Sequence, residues 1–158
     1  MFPDLDLNLD WYQIWSHLYH LVIAFVLAIP LAWDRERRSH SAGLRTFPLV
    51  ALGSCAYMLT GIQVLDSTEA EGRVVYGILT GIGFIGGGAI LKDGGNVAGT
   101  ATAAAIWNTG AIGLAVAYDR YEIALVLSLF NYFTFRFMDV LKTKVDNPRR
   151  PREEEPSP

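Results

Sequence analysis

The sequence is poor in cysteine, in charge and in basic residues near its start. Its one cysteine, Cys55, excludes a disulfide within the chain. Charged residues make up 18% of the 158 residues, whereas a soluble domain carries about 25%. No Lys or Arg precedes Arg35, and a cleavable signal peptide begins with a basic segment, so none is expected. The net charge of −3 gives no reason to expect a nucleic-acid partner.

Long apolar stretches are what the sequence does have. Hydrophobic residues make up 51% of the chain, and a bilayer span takes about 20 of them. We predict an all-α, polytopic membrane protein with helical spans at about 15–33, 46–65, 74–91, 101–118 and 123–140. Residues 1–145 then form one transmembrane domain. Residues 146–158 contain four prolines among mixed charges, which predicts a disordered cytoplasmic tail.

The distribution of Lys and Arg predicts the orientation of these spans. If the N-terminus is outside, eleven of the thirteen Lys and Arg residues lie on the cytoplasmic side, and only Arg73 and Arg120 lie outside. Cytoplasmic loops carry an excess of Lys and Arg. The pattern therefore favours an external N-terminus and a cytoplasmic C-terminus.

The third predicted span contains six glycines and one bulky ridge. At about 100° per residue, one side of the helix collects Ile78, Ile82, Ile85 and Ala89. We expect this ridge to face lipid. Gly81 falls on a second side, and Gly83 and Gly87 fall on a third. Because glycine lets two helix backbones approach closely in lipid, we expect these sides to pack against neighbours. A helix that slides or unwinds beside a pathway is the alternative.

The fourth predicted span places one amide on an alanine-rich face. Asn108 shares that face with Ala101, Ala104, Ala105, Ala111 and Ala115. An amide exposed to hydrocarbon costs several kcal/mol, so Asn108 should face protein. It either forms a hydrogen bond with another helix or lines a polar cavity.

The loop before the fourth span is rich in glycine. It lacks the Gly-Lys-Ser/Thr ending of a nucleotide-binding phosphate loop. We therefore predict a tight cytoplasmic turn, with Thr100 or Thr102 near the cap of the fourth span.

The loop between the first two spans carries charge at both helix ends. Asp34, Arg35 and Glu36 alternate in sign at the end of the first span, and Arg45 directly precedes the second. Because the loop is short, the two spans should be antiparallel neighbours. We predict that Arg45 pairs with Asp34 or Glu36. The alternative is that the arginines only set the orientation.

Three segments resemble the signature blocks of the MgtC/SapB family of small bacterial inner-membrane proteins. They read DRERR…AGLRTFPLVALGS, GIGFIGGGAIL and GTATAAAIWNTGAIGLAVA, and they follow the family's order over residues 31–117. The family usually has Glu-Arg-Glu where this chain has Asp34, Arg35 and Glu36. The Gly-Leu-Arg-Thr motif is intact as Gly43, Leu44, Arg45 and Thr46.

Two positions depart from the family pattern. Ala98 replaces a common arginine, and Asn108 replaces an apolar or small residue. The resemblance implies a multi-pass protein of the bacterial plasma (inner) membrane, linked in some members to growth in low magnesium and to survival inside hosts. It does not imply a proven transport activity. Larger members carry a folded cytoplasmic C-terminal domain, and we expect none here.

Three classes of function can be compared from the residues. An enzyme is not expected, because His17 and His20 are accompanied by no placed nucleophile. Transport of Mg²⁺ meets a difficulty, since Mg²⁺ prefers carboxylate ligands and the second, third and fourth spans contain no ionisable side chain. A path would have to rely on Asn108, Thr80 and backbone carbonyls.

We therefore favour a regulatory or interaction protein, with transport of Mg²⁺ or another small ion as the alternative. The expected partners are the lipid bilayer and, through the glycine-rich faces, other membrane proteins or a second copy. No cofactor is expected, although Mg²⁺ is possible. The candidate functional residues are Asp34, Arg35, Glu36, Gly43, Arg45, Thr46, Gly81, Gly83, Gly87, Thr102 and Asn108.

Overall fold

The computed structural model describes residues 10–38, 42–93 and 96–145, and within them the chain forms five helices and one short β-hairpin. In chain order the elements are α1 Trp11–Arg38, α2 Thr46–Val64, α3 Thr68–Gly88, β1 Leu91–Asp93, β2 Asn96–Ala98, α4 Thr100–Ala117 and α5 Tyr121–Val145. The predicted all-α class is confirmed. The disordered tail predicted for 146–158 lies outside the described residues.

Three of the helices are long and apolar enough to cross a membrane. These are Trp11–Arg37, Thr46–Val64 and Thr100–Ala117. The other two, α3 with 21 residues and α5 with 25, are about 31 and 37 Å long, but glycine in α3 and polar side chains in α5 make them less apolar. The chain is therefore a helical membrane protein. Its orientation stays a prediction.

Local sequence explains where two of the helices begin. The Asp10 carboxylate accepts a hydrogen bond from the backbone N–H of Tyr12 at 3.0 Å, which caps α1. The Ser67 hydroxyl accepts one from the backbone N–H of Ala70 at 3.2 Å, which caps α3. A side-chain oxygen at this position satisfies an N–H group that has no partner inside the helix.

The connection between α3 and α4 differs from the predicted tight turn. It is a two-stranded antiparallel hairpin, in which Leu91 pairs with Ala98. In the sequence, two glycines separate Leu-Lys-Asp from Asn-Val-Ala, a spacing that favours a two-residue hairpin loop. The hairpin therefore provides backbone partners for a segment that was expected to be only a turn.

The central helix is α4, which contacts each of the other four. Its contact with α2 is close: a Cβ on Gly113 would lie 2.9 Å from the Ser54 Cβ and 3.0 Å from the Cys55 nitrogen. Its contact with α3 is similar, since a Cβ on Gly86 would lie 3.2 Å from the carbonyl oxygen of Ala103. Glycine at these two positions lets the backbones approach closely, as expected of helix pairs in lipid.

The faces of α3 differ from those predicted at Ile82 and at the three candidate glycines. Ile82 is only 5% exposed, and its side chain fills the space that a Cβ on Gly110 of α4 would need. Gly81, Gly83 and Gly87 are exposed, and a Cβ on any of them would have nothing within 4 Å. The prediction that the ridge faces lipid is therefore wrong for Ile82. Its side chain fits the hollow beside Gly110 and gains dispersion contacts there that exposed glycines cannot make.

Candidate functional site

Polar side chains gather at both ends of the helical bundle. We name the end where α1 finishes and α2 begins the arginine end, after Arg35 and Arg45. The opposite end, where α4 turns into α5, is the histidine end, after His20, which contacts Asp119 there. Most of the candidates predicted from sequence lie at the arginine end, and Asn108 lies between the two ends.

Arg35 connects three helices at the arginine end. Its Nη2 donates a hydrogen bond to the Thr102 Oγ1 at 2.6 Å, which joins α1 to α4. Its guanidinium also lies 4.7 Å from the centre of the Phe135 ring in α5, a favourable cation–π distance. Thr102 is 2% exposed and Asp34 is 8% exposed. The structure thus brings together two residues, Arg35 and Thr102, that are 67 positions apart.

Glu36 holds the loop between α1 and α2. Its Oε2 accepts a hydrogen bond from the backbone N–H of Leu44 at 2.9 Å. A Cβ on Gly43 would collide with that same Oε2 and would lie 3.0 Å from the Glu36 Cα. Any side chain at position 43 must therefore displace the carboxylate. This contact gives the Gly-Leu-Arg-Thr motif a physical reason for its glycine.

Arg45 does not join this cluster, which corrects the predicted pairing. In the ranges covered by the structure, no ion pair links Arg45 to Asp34 or Glu36. The Glu36 carboxylate is engaged by the loop backbone instead. The Arg45 side chain is exposed and, with half-buried Thr46, lines a groove between α2 and α3.

Asn108 forms a hydrogen bond across helices, which is one of the two predicted alternatives. Its Nδ2 donates to the Asn131 Oδ1 in α5 at 2.9 Å. The alanine face around it is only partly an interface, since Ala101 and Ala104 are exposed. The glycines that pack closely, Gly110 and Gly113, are elsewhere on α4.

Sequence reasoning missed two buried polar residues of α5. Asn131 is 6% exposed, and Ser128 is 3% exposed and donates a hydrogen bond to the Leu27 carbonyl oxygen at 2.6 Å. The signal was present in the sequence, because Ala124, Ser128 and Asn131 recur at i, i+4 and i+7 along one helix face.

The histidine end carries a second polar cluster. The His20 Nε2 lies 2.9 Å from the Asp119 Oδ1, and the Tyr121 hydroxyl donates to the same oxygen at 2.6 Å. The His20 Nδ1 lies 2.7 Å from the Ser16 carbonyl oxygen. Hydrogen bonds from Tyr121 and His20 hold the pKa of the Asp119 carboxyl below its usual value.

The two histidines do not form a shared site. His17 contacts Gln63, with their Nε2 atoms 2.6 Å apart, whereas His20 contacts Asp119. Among the residues that the structure describes, no three His, Cys, Asp or Glu side chains gather where a metal ion could bind. The clusters at the two ends therefore connect helices, and neither supplies the three ligands that a metal site needs.

Comparison with known proteins identifies relatives of the chain. A sequence model described as the MgtC family matches residues 21–144. The chain is 34% identical over 137 residues to a protein of Escherichia coli strain K12 named "Putative magnesium transporter YhiD", covering 77% of this chain and 64% of that protein. It is 33% identical over 116 residues to "Protein MgtC" of Salmonella typhimurium, covering 73% of this chain and 49% of that protein.

A third relative is covered over more of its length. "Protein SrpB" of Synechococcus elongatus is 33% identical over 129 residues, which are 73% of this chain and 71% of that protein. The chain spans about half to two thirds of the length of the YhiD and MgtC proteins. No solved structure matches the chain significantly.

Proposed function

The chain belongs to the MgtC family, and from this premise we propose that it is a regulatory or interaction protein linked to magnesium homeostasis. It acts in the bacterial inner membrane by binding other membrane proteins through its helices. The link to magnesium is supported by the name of one relative, the putative magnesium transporter YhiD of E. coli.

The observation that carries this proposal is an exposed stripe along α3, which we name the glycine stripe. It consists of Tyr76, Thr80, Gly83 and Gly87, and all four are exposed. Their spacing of four, three and four residues places them on one side of the helix. A Cβ on Gly83 or Gly87 would have nothing within 4 Å.

A stripe of this kind supports the binding of another helix. Small residues four positions apart let a second helix approach closely in lipid. Glycine facing only lipid makes few packing contacts and is a poorer helix former than alanine by about 1 kcal/mol. A helix of another membrane protein packed against the stripe would provide the close contacts that these glycines do not make with lipid.

Ion transport is the second candidate, favoured by the name of the E. coli relative. Polar groups inside a bundle are what usually marks an ion path. Two such contacts already join helices here, Asn108 with Asn131 and Ser128 with the Leu27 carbonyl, although the Asn131 Nδ2 has no partner among the described residues. The central parts of all five helices contain no Asp or Glu, the ligands that Mg²⁺ most often takes from proteins. We therefore place transport second.

The interaction proposal is tested by filling the glycine stripe. We expect Gly83→Leu with Gly87→Leu to abolish the ability of the protein to support growth in low magnesium, in a strain that lacks its own copy. The amount of folded protein in the membrane should stay unchanged, because open space surrounds both positions.

Gly88→Leu is the matched control for that experiment. It is the same substitution in the same helix, also in open space, but on a different side of the helix from the stripe. Growth should be unaffected by this change. If the double variant grows as well as the control, the stripe is not a functional surface.

We also propose an external N-terminus and a cytoplasmic C-terminus, supported by the uneven distribution of Lys and Arg. A reporter fused after Val145 should be active only as a cytoplasmic fusion. A reporter inserted near Ser67 should be active only as a periplasmic fusion. Finding the reporter after Val145 on the periplasmic side would contradict this orientation.

A further inference from the structure

A groove of about 700 Å³ lies between α2 and α3 on the surface of the bundle. Its α2 wall runs from Thr46 to Tyr57, and its α3 wall runs from Val74 to Ile85. The lining is apolar or small, apart from hydroxyl groups and one arginine. Leu49 on one wall is 65% exposed and Ile85 on the other is 47% exposed, so the groove opens toward the surroundings.

The groove is closed at one end and open at the other. A Cβ on Gly61 of α2 would lie 3.5 Å from the Val74 side chain of α3, so the two helices touch there. Toward the arginine end, a Cβ on Gly53 of α2 or on Gly81 of α3 would have nothing within 4 Å. The floor is buried, since Ser54 is 3% exposed and Ile82 is 5% exposed. The groove is therefore closed at one end and open toward the arginine end.

The length of the groove matches one leaflet of a bilayer. From Thr46 to Tyr57, eleven residues at 1.5 Å each span about 17 Å. The hydrocarbon core of a bilayer is about 30 Å thick, so one leaflet contributes about 15 Å. A transmembrane helix of a partner would need about 30 Å of groove and a width of about 10 Å. One acyl chain of a lipid needs only the leaflet's depth.

Charge at the open end indicates what kind of lipid fits. Among the described residues, Arg45 is the only charged one that lines the groove. Within the described part of the chain, no acidic side chain forms an ion pair with it. A guanidinium presents a planar set of donors that matches a phosphate group. Basic pockets between helices at the membrane boundary bind lipid head groups in this way.

We propose that this groove is a binding site for one anionic phospholipid, with an acyl chain between α2 and α3 and the phosphate on Arg45. The site is separate from the glycine stripe, which lies on another side of α3. It does not depend on the proposed interaction function. It also gives Arg45 and Gly81 of the candidate set a role, since both line the groove.

Lipid retention by the purified full chain tests the proposal. The protein in detergent is titrated with dioleoylphosphatidylglycerol or dioleoylphosphatidylcholine, and bound lipid is counted by native mass spectrometry. We expect one phosphatidylglycerol to bind about tenfold more tightly than phosphatidylcholine, because both lipids carry the phosphate but only phosphatidylcholine also brings a cationic choline group near Arg45. Equal binding of both lipids would overturn the assignment of an anionic head group.

A first variant tests whether an acyl chain occupies the groove. Gly81→Leu fills the groove from a position with open space around it, and should reduce binding of both lipids about tenfold. Gly72→Leu, outside the groove, should leave binding unchanged. Equal retention by Gly81→Leu and Gly72→Leu would overturn the proposal.

Arg45→Gln should remove the preference for phosphatidylglycerol. Arg37→Gln is its control, because Arg37 is also exposed near the arginine end but lies over the Trp33 ring at 4.8 Å instead of in the groove. An equal effect of both substitutions would contradict the phosphate contact. A disulfide between two copies through Gly81→Cys in membranes would assign the groove to a second copy and also overturn the proposal.

Discussion

The Nη2 of Arg35 donates a hydrogen bond to the Oγ1 of Thr102 at 2.6 Å, and this contact joins the end of α1 to the first turn of α4. Thr102→Val keeps the shape of the side chain but removes the acceptor. Because the position is buried and the donor is charged, we expect the free energy of unfolding in detergent to fall by about 1.5–3 kcal/mol.

Thr60→Val is the matched control for Thr102. The Thr60 hydroxyl donates only to the Ala56 carbonyl oxygen of its own helix and is exposed. Its loss should stay within about 0.5 kcal/mol. Equal losses for the two variants would show that the contact with Arg35 contributes nothing beyond a local hydroxyl.

Gly43 lies in the loop between α1 and α2, against the Glu36 carboxylate. Gly43→Ala should lower the unfolding free energy by about 1–3 kcal/mol, because the new methyl group collides with the Glu36 carboxylate. In a Glu36→Ala background the same change should cost less, since the carboxylate is gone. Thermal unfolding of the four proteins measures this difference. A cost that is the same in both backgrounds would contradict the contact.

The orientation of α3 gives a prediction opposite to the one from sequence. Ile82→Ala should destabilise the protein by about 2 kcal/mol or more, because it leaves a cavity against Gly110. Gly81→Leu should change stability little, because its surroundings are open. Unfolding in detergent compares the two. A larger loss for Gly81→Leu than for Ile82→Ala would restore the arrangement predicted from sequence.

The extents of two helices were predictable because turn signals flank them. The spans predicted at 46–65 and 101–118 are close to the observed Thr46–Val64 and Thr100–Ala117. The other predicted spans, 15–33 and 123–140, are shorter than α1 and α5 at both ends, whereas α3 begins before its predicted span of 74–91 and ends three residues short of it. A span predicted from hydropathy ends where charge begins, but α1 continues as a helix through its charged residues to Arg38. Hydropathy therefore located each helix but missed its polar extensions, and it assigned the apolar start of the hairpin to α3.

The direction in which α3 faces could not be predicted for a different reason. In lipid, both an isoleucine ridge and a glycine face are acceptable at the surface, so hydropathy does not distinguish the two. The choice depends on Gly110 of α4, which offers a hollow for Ile82. Arg45 does not form the predicted ion pair for a similar reason, since the Glu36 carboxylate accepts a hydrogen bond from the Leu44 backbone N–H instead. Both are tertiary contacts that residue spacing alone does not contain.

The contribution of the histidine end to the stability of the protein should be lost in acid. The pKa of Asp119 is lowered from its ordinary 3.8 by hydrogen bonds from Tyr121 and His20, so its contribution to stability is present above that value. It is lost as the pH falls through the lowered pKa. Because the Asp119 side chain is 70% exposed, solvent screens the effect, and we expect about 1 kcal/mol or less.

Tyr121→Phe isolates this contribution, because it removes the largest cause of the lowered pKa. The melting temperature of this variant, followed from pH 7 down to about 2, should fall less steeply than that of the unchanged protein. Tyr12→Phe, at a residue 83% exposed, is the control and should show the original slope. The same acid dependence in all three proteins would contradict the role of Asp119.

Uptake of Mg²⁺ by liposomes containing the purified protein tests most directly whether it acts by contact or by transport. Within the bundle, Asn108 is hydrogen-bonded to Asn131 and Ser128 to the Leu27 carbonyl oxygen, and the middle of each helix lacks a carboxylate. We therefore predict that Mg²⁺ enters these liposomes no faster than it enters protein-free ones. Saturable uptake that is lost in Asn131→Leu, with the variant still folded, would contradict the account and establish transport.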